Sequence, residues 1–181
     1  MKNVIILTRE DKYIPLQQWQ EQYGLEGGST KIGRHFSYTE PKFKEDLKEF
    51  GKLIVCEPLI KVMDRYRELI DEPVSVNSFN RTEEKQAQLT EKGFRTAKVS
   101  PHVEKMAADL DTLDAEGTYI RVAKLKQAAR ELGISIRIGY KDYLVHGQTF
   151  IHLDVCPEYY ATGKPRFHDH HPAQWENSIE W

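Results

Sequence analysis

The hydrophobic period of this chain changes abruptly at Pro73. Before it, Leu59, Val62, Met63, Tyr66, Leu69 and Ile70 recur at helical spacing. They form the apolar stripe of an amphipathic helix over 58–71. Pro58 suits a first helical turn, where a missing N–H costs little, and Pro73 stops the helix. Val74-Ser75-Val76-Asn77-Ser78-Phe79 then alternates with period two, the pattern of a strand. A switch this sharp demands helices and sheet in one core.

The same mixture runs through the rest of the chain. Thr82 is placed to cap a polar helix over 83–92, closed by Gly93. Gly117 or Thr118 opens a second amphipathic helix carrying Val122, Leu125, Ala129 and Leu132 and ended by Gly133. Ile134–Gly139 and Phe150–Val155 alternate as strands, with a turn-like Asp142–Gly147 between them. Met106–Asp111 fits a strand or a short helix, and its periodicity does not choose. The opening Met1–Leu7 run is a first strand or an N-terminal anchor. Residues 24–35, with Gly24, Gly27, Gly28 and Gly33, read as a loop. The expected fold is α+β, a small central antiparallel sheet with packed helices. An N-terminal extension (1–35) precedes the main domain (36–156), and a tail (157–181) packs on it.

Bulk properties narrow the function. With 181 residues the chain can build one domain with a real core. A net charge of −2 directs it toward neither nucleic acid nor an anionic membrane. No apolar run reaches the roughly 20 residues of a spanning helix. The first apolar run ends at Thr8-Arg9-Glu10, below signal-peptide length, so synthesis in the cytoplasm without an export signal is expected. Cys56 and Cys156 lie in apolar surroundings and read as buried, reduced thiols.

Two segments carry residues suited to chemistry. On the strand over 150–155, His152 and Asp154 share one face, and Ile151, Leu153 and Val155 share the other. The polar face is either a metal or acid/base site, or simply turned to water. Ser100-Pro101-His102 is extended before its proline. Asp109 follows seven residues on, beside Ala107 and Ala108, which implies tight packing around its carboxylate. Arg81 has a plain reading as a helix-start arginine paired with Glu84 or Asp71, and Asp111 reads as a strand-end or turn acid. His168-Asp169-His170-His171 is a run whose alternate side chains point opposite ways, a poor preformed cage, and reads as solvated tail. Tyr140, Tyr143, Phe150, Tyr159 and Tyr160 could line a groove or pack the rim.

These segments resemble the zinc D-alanyl-D-alanine carboxypeptidase family, which includes carboxypeptidases, dipeptidases and phage endolysins. Ser100-x-His102 followed by Ala107-x-Asp109 is similar to its Ser-x-His-x-x-Gly-x-Ala-x-Asp signature. Phe150-Ile151-His152-Leu153-Asp154-Val155 resembles its late His-x-Asp strand, and Val74–Arg81 its strand ending in Ser-x-x-Arg. The three elements come in the family's order, and the resemblance spans about residues 36–156. The resemblance implies zinc held by His102, Asp109 and His152, with a water as nucleophile. It implies Arg81 on the substrate carbonyl or its oxyanion, Ser100 behind a ligand, and Asp154 either holding an imidazole or near the water. The substrate implied is a peptidoglycan stem or cross-link peptide, reached after phage-type release through a holin or as part of a particle. Two departures stand out. Lys105 replaces the family's glycine, so the loop is expected to differ there. Thr149 and Phe150 occupy the positions where the family keeps its general base, leaving His146, Asp154 or Glu104 as candidates. The alternative is a non-catalytic zinc-binding protein of the same fold, a phage structural or interaction protein.

Overall fold

The computed structural model describes residues 3–93 and 100–162. Its elements fall into two small sheets that share one apolar core with the helices. The first sheet is built by the N-terminus. Val4–Leu7 (β1) lies between Tyr13–Pro15 (β2), antiparallel to it, and Leu53–Cys56 (β3), parallel to it. Val4, Ile6 and Leu7 are buried, as a central strand requires. The opening run is therefore a strand, and its pairing with β3 crosses the boundary expected near residue 35.

The glycine-rich loop is also tied in. Leu16–Tyr23 (α1) turns at Gly24, and the loop beyond it lies against Glu57–Ile70 (α3). The buried Asp64 of α3 accepts from the backbone N–H of Arg34 at 2.8 Å and of His35 at 2.9 Å. A Cβ at Gly33 would stand 2.7 Å from an Asp64 oxygen, so that position excludes a side chain. Trp19 Nε1 donates to the Ile32 carbonyl at 2.9 Å.

The second sheet is wholly antiparallel and carries the candidate site. Val76–Ser78 (β4), Ala107–Asp111 (β5), Arg137–Gly139 (β6) and Phe150–Asp154 (β7) are ordered β4-β5-β7-β6. The ambiguous 106–111 segment is thus a strand, central in its sheet and buried through Leu110. Tertiary pairing decides what periodicity alone could not. One face of this sheet offers Ala108, Leu110, Ile138, Ile151 and Leu153 to the core. The same core takes Leu59, Val62 and Met63 from α3, and Val122, Leu125, Ala128 and Ala129 from Ala115–Leu132 (α5). Pro41–Phe50 (α2) adds Phe43, whose ring meets Phe79 edge-on at 4.9 Å.

Some boundaries differ from the sequence reading. α5 starts earlier than Gly117, because Asp114 caps it by accepting from the Gly117 N–H. Gly117 lies inside the first turn, where a Cβ would come within 3.0 Å of the Asp114 carboxylate. The Asp142–Gly147 stretch contains a short helix, Lys141–Val145 (α6). Thr82 does cap Glu83–Glu91 (α4), accepting from the Lys85 N–H at 3.2 Å. A final 3₁₀ helix, Cys156–Thr162, brings Tyr159 into the core. No helix among the described residues is long and apolar enough to cross a membrane.

Candidate metal centre

Strand pairing assembles the site from segments distant in sequence. In the β5–β7 register Asp109 lies opposite His152, and Ala107 opposite Asp154. Residues directly opposite one another project to the same face. That face is not turned to water: His152 is 2% exposed and Asp154 0%. The solvent-facing reading of this strand is therefore wrong.

His102 reaches the same face from the tight turn that leads into β5. Ser100 and Pro101 shape that turn through their carbonyls, which accept from Val103, Glu104 and Met106. The Ser100 side chain is buried. The His102 carbonyl accepts from the N–H groups of Arg81 and Lys105, both at 3.2 Å. The histidine is thereby pinned between the end of β4 and the start of β5.

Three donor atoms converge. His102 Nε2 lies 3.1 Å from Asp109 Oδ1 and 3.2 Å from His152 Nδ1, and His152 Nδ1 lies 2.9 Å from Asp109 Oδ1. The outer nitrogens set the tautomers. His102 Nδ1 sits 2.7 Å from the Phe79 carbonyl, which can only accept, so the proton is there. His152 Nε2 sits 3.3 Å from Asp154 Oδ2 and donates to it. Both inner nitrogens then present lone pairs to each other and to a carboxylate oxygen. Three electron pairs this close, in a buried place, require a cation or an extra proton.

The dimensions suit a small cation. Ligands about 2.0–2.1 Å from a tetrahedral zinc stand roughly 3.3 Å from one another. The three edges here are close to that value. His102, Asp109 and His152 could hold a metal ion, and no fourth donor joins the group among the described residues.

The electrostatics agree. Burial alone would raise the Asp109 carboxyl, but His102 and His152 outweigh it and hold it well below the usual range. Burial alone would lower the His152 imidazole, yet Asp109 and Asp154 leave it raised.

Asp154 stands on the outer side of His152, away from the convergent atoms. Its two oxygens accept from Arg137 Nε at 3.0 and 3.1 Å, and the Cys156 N–H adds a bond at 3.0 Å. Arg137 lies opposite Asp154 in the β6–β7 register and is 3% exposed. This carboxylate is likewise held well below the usual range: burial would raise it, and Arg137 and His152 reverse that. Sequence reasoning passed over Arg137. The alternation of Ile134, Ile136 and Ile138 put it on the polar face, but nothing local revealed its partner.

Arg81 is half-buried beside the donor group. Its guanidinium donates to Ser78 Oγ at 3.1 Å and to Gln86 Oε1 at 2.8 Å, rather than to Glu84 or Asp71. Burial lowers its pKa, and the nearby Asp109 and Tyr143 act against that. Lys105 takes the left-handed conformation, with φ +67°. That is a backbone angle suited to glycine, held here by a lysine. The Lys105 ammonium donates to the Arg81 carbonyl and helps offset the cost of that angle.

His146 lies exposed just after α6, and Glu104 is half-buried in the turn; neither joins the donor group. The run His168–His171 and Tyr160's side chain fall outside the described residues. Tyr143 packs on Phe150, with ring centroids 4.1 Å apart, beside the site. Tyr159 instead packs in the core, where its hydroxyl meets the Cys56 sulfur. Burial pushes the Cys56 thiol up to about 12 and the Cys156 thiol well above 9.0, so both stay protonated.

With the geometry in hand, comparison with known proteins places the fold. The chain is similar to the crystal structure of the Serratia marcescens L-Ala D-Glu endopeptidase ChiX, with a TM-score of 0.50 and 19% identity. The likeness is one of fold. It covers 70% of this chain and 95% of that one. No family model matches the chain, and no curated protein matches it.

Proposed function

We propose that this chain is a zinc-dependent peptidase that hydrolyses peptides of peptidoglycan. The observation that carries the reading is the triangle of His102 Nε2, His152 Nδ1 and Asp109 Oδ1, with both imidazole protons turned outward. Two imidazoles and a carboxylate form a donor set typical of catalytic zinc, whereas structural zinc takes four protein ligands. The chemistry that zinc supplies in such a set is Lewis acidity, which polarises a carbonyl and acidifies water toward neutral pH. The substrate class rests on the fold shared with an L-Ala D-Glu endopeptidase and on the sequence resemblance.

The chain's own residues have separable roles in this reading. His102, Asp109 and His152 bind. The Phe79 carbonyl and Asp154 orient the two rings and fix their tautomers, and Arg137 holds Asp154 in turn. Arg81, braced by Ser78 and Gln86, faces the substrate carbonyl and stabilises the oxygen as negative charge develops. His146 is exposed and outside this constellation.

The second reading is a non-catalytic protein that keeps a metal for stability. It calls for a fourth protein ligand, and none joins the group among the described residues. Digestion of purified peptidoglycan separates the two. With zinc present we expect new peptide ends by mass spectrometry, and none after chelation. The L-Ala D-Glu linkage is the first to inspect. Intact wall after incubation with zinc-saturated protein would sink the enzymatic reading.

A further inference from the structure

Resting on the peptidase reading, we propose that Asp111 is the carboxylate that aligns the attacking water and accepts its proton. Side chains of Ala107, Asp109 and Asp111 share one face of β5. The register sets them opposite Asp154, His152 and Phe150 respectively. The polar face therefore has three rows. Arg137 and Asp154 form the rear support, Asp109 and His152 hold two of the donors, and Asp111 and Phe150 form the front.

His102 enters from the turn before Ala107, so it covers the rear end of the face. Asp111 lies at the opposite end of the strand. Same-face residues two apart on a strand are about 6.6–6.8 Å apart. That spacing sets Asp111 one row beyond Asp109 on the same face, and the donor group does not include it.

Asp111 is prepared for such a role. It is half-buried, and its N–H donates to the Ser75 carbonyl at 3.0 Å, anchoring the strand end. One carboxylate oxygen accepts from the Thr112 N–H at 2.9 Å, which leaves the other available. No lysine or arginine forms an ion pair with it among the described residues. Across the front row, Phe150 and Tyr143 form an aromatic wall. Phe150 and Thr149 occupy the positions where the sequence lacks an acid, and Asp111 lies directly across from Phe150, about 4.5–5.5 Å away between backbones. The neighbouring strand thus supplies a carboxylate to the same end of the face.

The step balances without another reactant. As the water oxygen bonds to the peptide carbonyl carbon, one water proton passes to Asp111. When the C–N bond breaks, that proton goes to the leaving amine, and one water is consumed per bond.

The test uses Asp111→Asn, Asp111→Glu and Asp111→Ala in the full chain, with zinc content, peptide affinity and turnover measured on each. Asp111→Asn is expected to keep stoichiometric zinc and wild-type peptide affinity but lose about 10²–10⁴-fold in kcat. Asp111→Glu should retain more activity than Asp111→Asn, and formate should restore part of the activity of Asp111→Ala. Turnover of Asp111→Asn within threefold of an active wild type overturns the proposal and leaves the peptidase reading intact. Loss of zinc from all three variants also overturns it, by making Asp111 part of metal binding. An inactive wild type removes both.

Discussion

Arg137 holds both carboxylate oxygens of Asp154, at 3.0 and 3.1 Å, where neither side chain is more than 3% exposed. The pair lies behind His152 and joins the site's geometry to the stability of the sheet.

Replacing Arg137 with Met should leave Asp154 charged and buried without its cation. We expect a loss of about 3–5 kcal/mol in urea unfolding. Zinc affinity, read by chelator competition, should fall about 10–100-fold because Asp154, which orients the His152 ring, loses its anchor. Adding Asp154→Leu should recover much of the stability but none of the affinity. Equal stability of the single and double variants would show that the pair is not coupled.

His102→Ala and His152→Ala should each abolish stoichiometric zinc, measured by elemental analysis of the folded protein. In the wild type, zinc at about 100 times its Kd should add about 2.7 kcal/mol to stability, and chelation should reverse it. Full zinc occupancy in both variants would refute the ligand assignment.

The pH dependence follows from His152. Asp109 and Asp154 leave its pKa above the ordinary imidazole value of 6.5. A raised folded pKa means that protonation stabilises the metal-free protein. That contribution is complete below the unfolded pKa and is lost as pH rises through the folded one. Zinc needs the neutral ring, so its affinity should rise as metal-free stability falls, as pH climbs from the ordinary imidazole value through the raised one. Calorimetry in buffers of different ionisation enthalpy should detect proton release on binding. A flat affinity across this window would contradict the account.

Arg81→Ala should keep zinc and raise the barrier for peptide hydrolysis by about 2 kcal/mol or more. Arg81→Lys should recover only part of this, since one ammonium cannot reproduce a planar fork held by Ser78 and Gln86. Steady-state kinetics on a wall peptide would decide, and unchanged rates would take Arg81 out of the mechanism.

Lys105 offers an ordering test. Lys105→Met keeps the left-handed residue and loses the bond to the Arg81 carbonyl, which should cost about 1–2 kcal/mol. Lys105→Gly loses the same bond but removes a backbone penalty of about 1–2 kcal/mol. The glycine variant should therefore be the more stable of the two in thermal unfolding. The reverse order would mean that the φ of +67° carries no strain.

Local patterns made much of the site legible. The alternation over 150–155 placed His152 and Asp154 on one face, and Ala107 and Ala108 signalled that Asp109 is packed. The stripe from Leu59 to Ile70 marked α3 to within a residue at each end. These readings worked because side-chain direction in a helix or strand is a property of the chain itself. Where two local signals competed, the reading slipped: Gly117 looked like a helix start because Asp114, the residue that caps α5, lies just outside the apolar stripe.

Partnership was another matter. Whether 106–111 is helix or strand, that Asp154 looks to Arg137, and that Asp111 lies across from Phe150 all depend on strand register. Register is set by closing distant segments onto a common core, and no window of the sequence contains both partners. The residues of the candidate metal centre were legible in the sequence alone. Their convergence to within about 3 Å, and the outward turn of both imidazole protons, were decided by the tertiary structure, because only there do β5, β7 and the turn at His102 share one buried face.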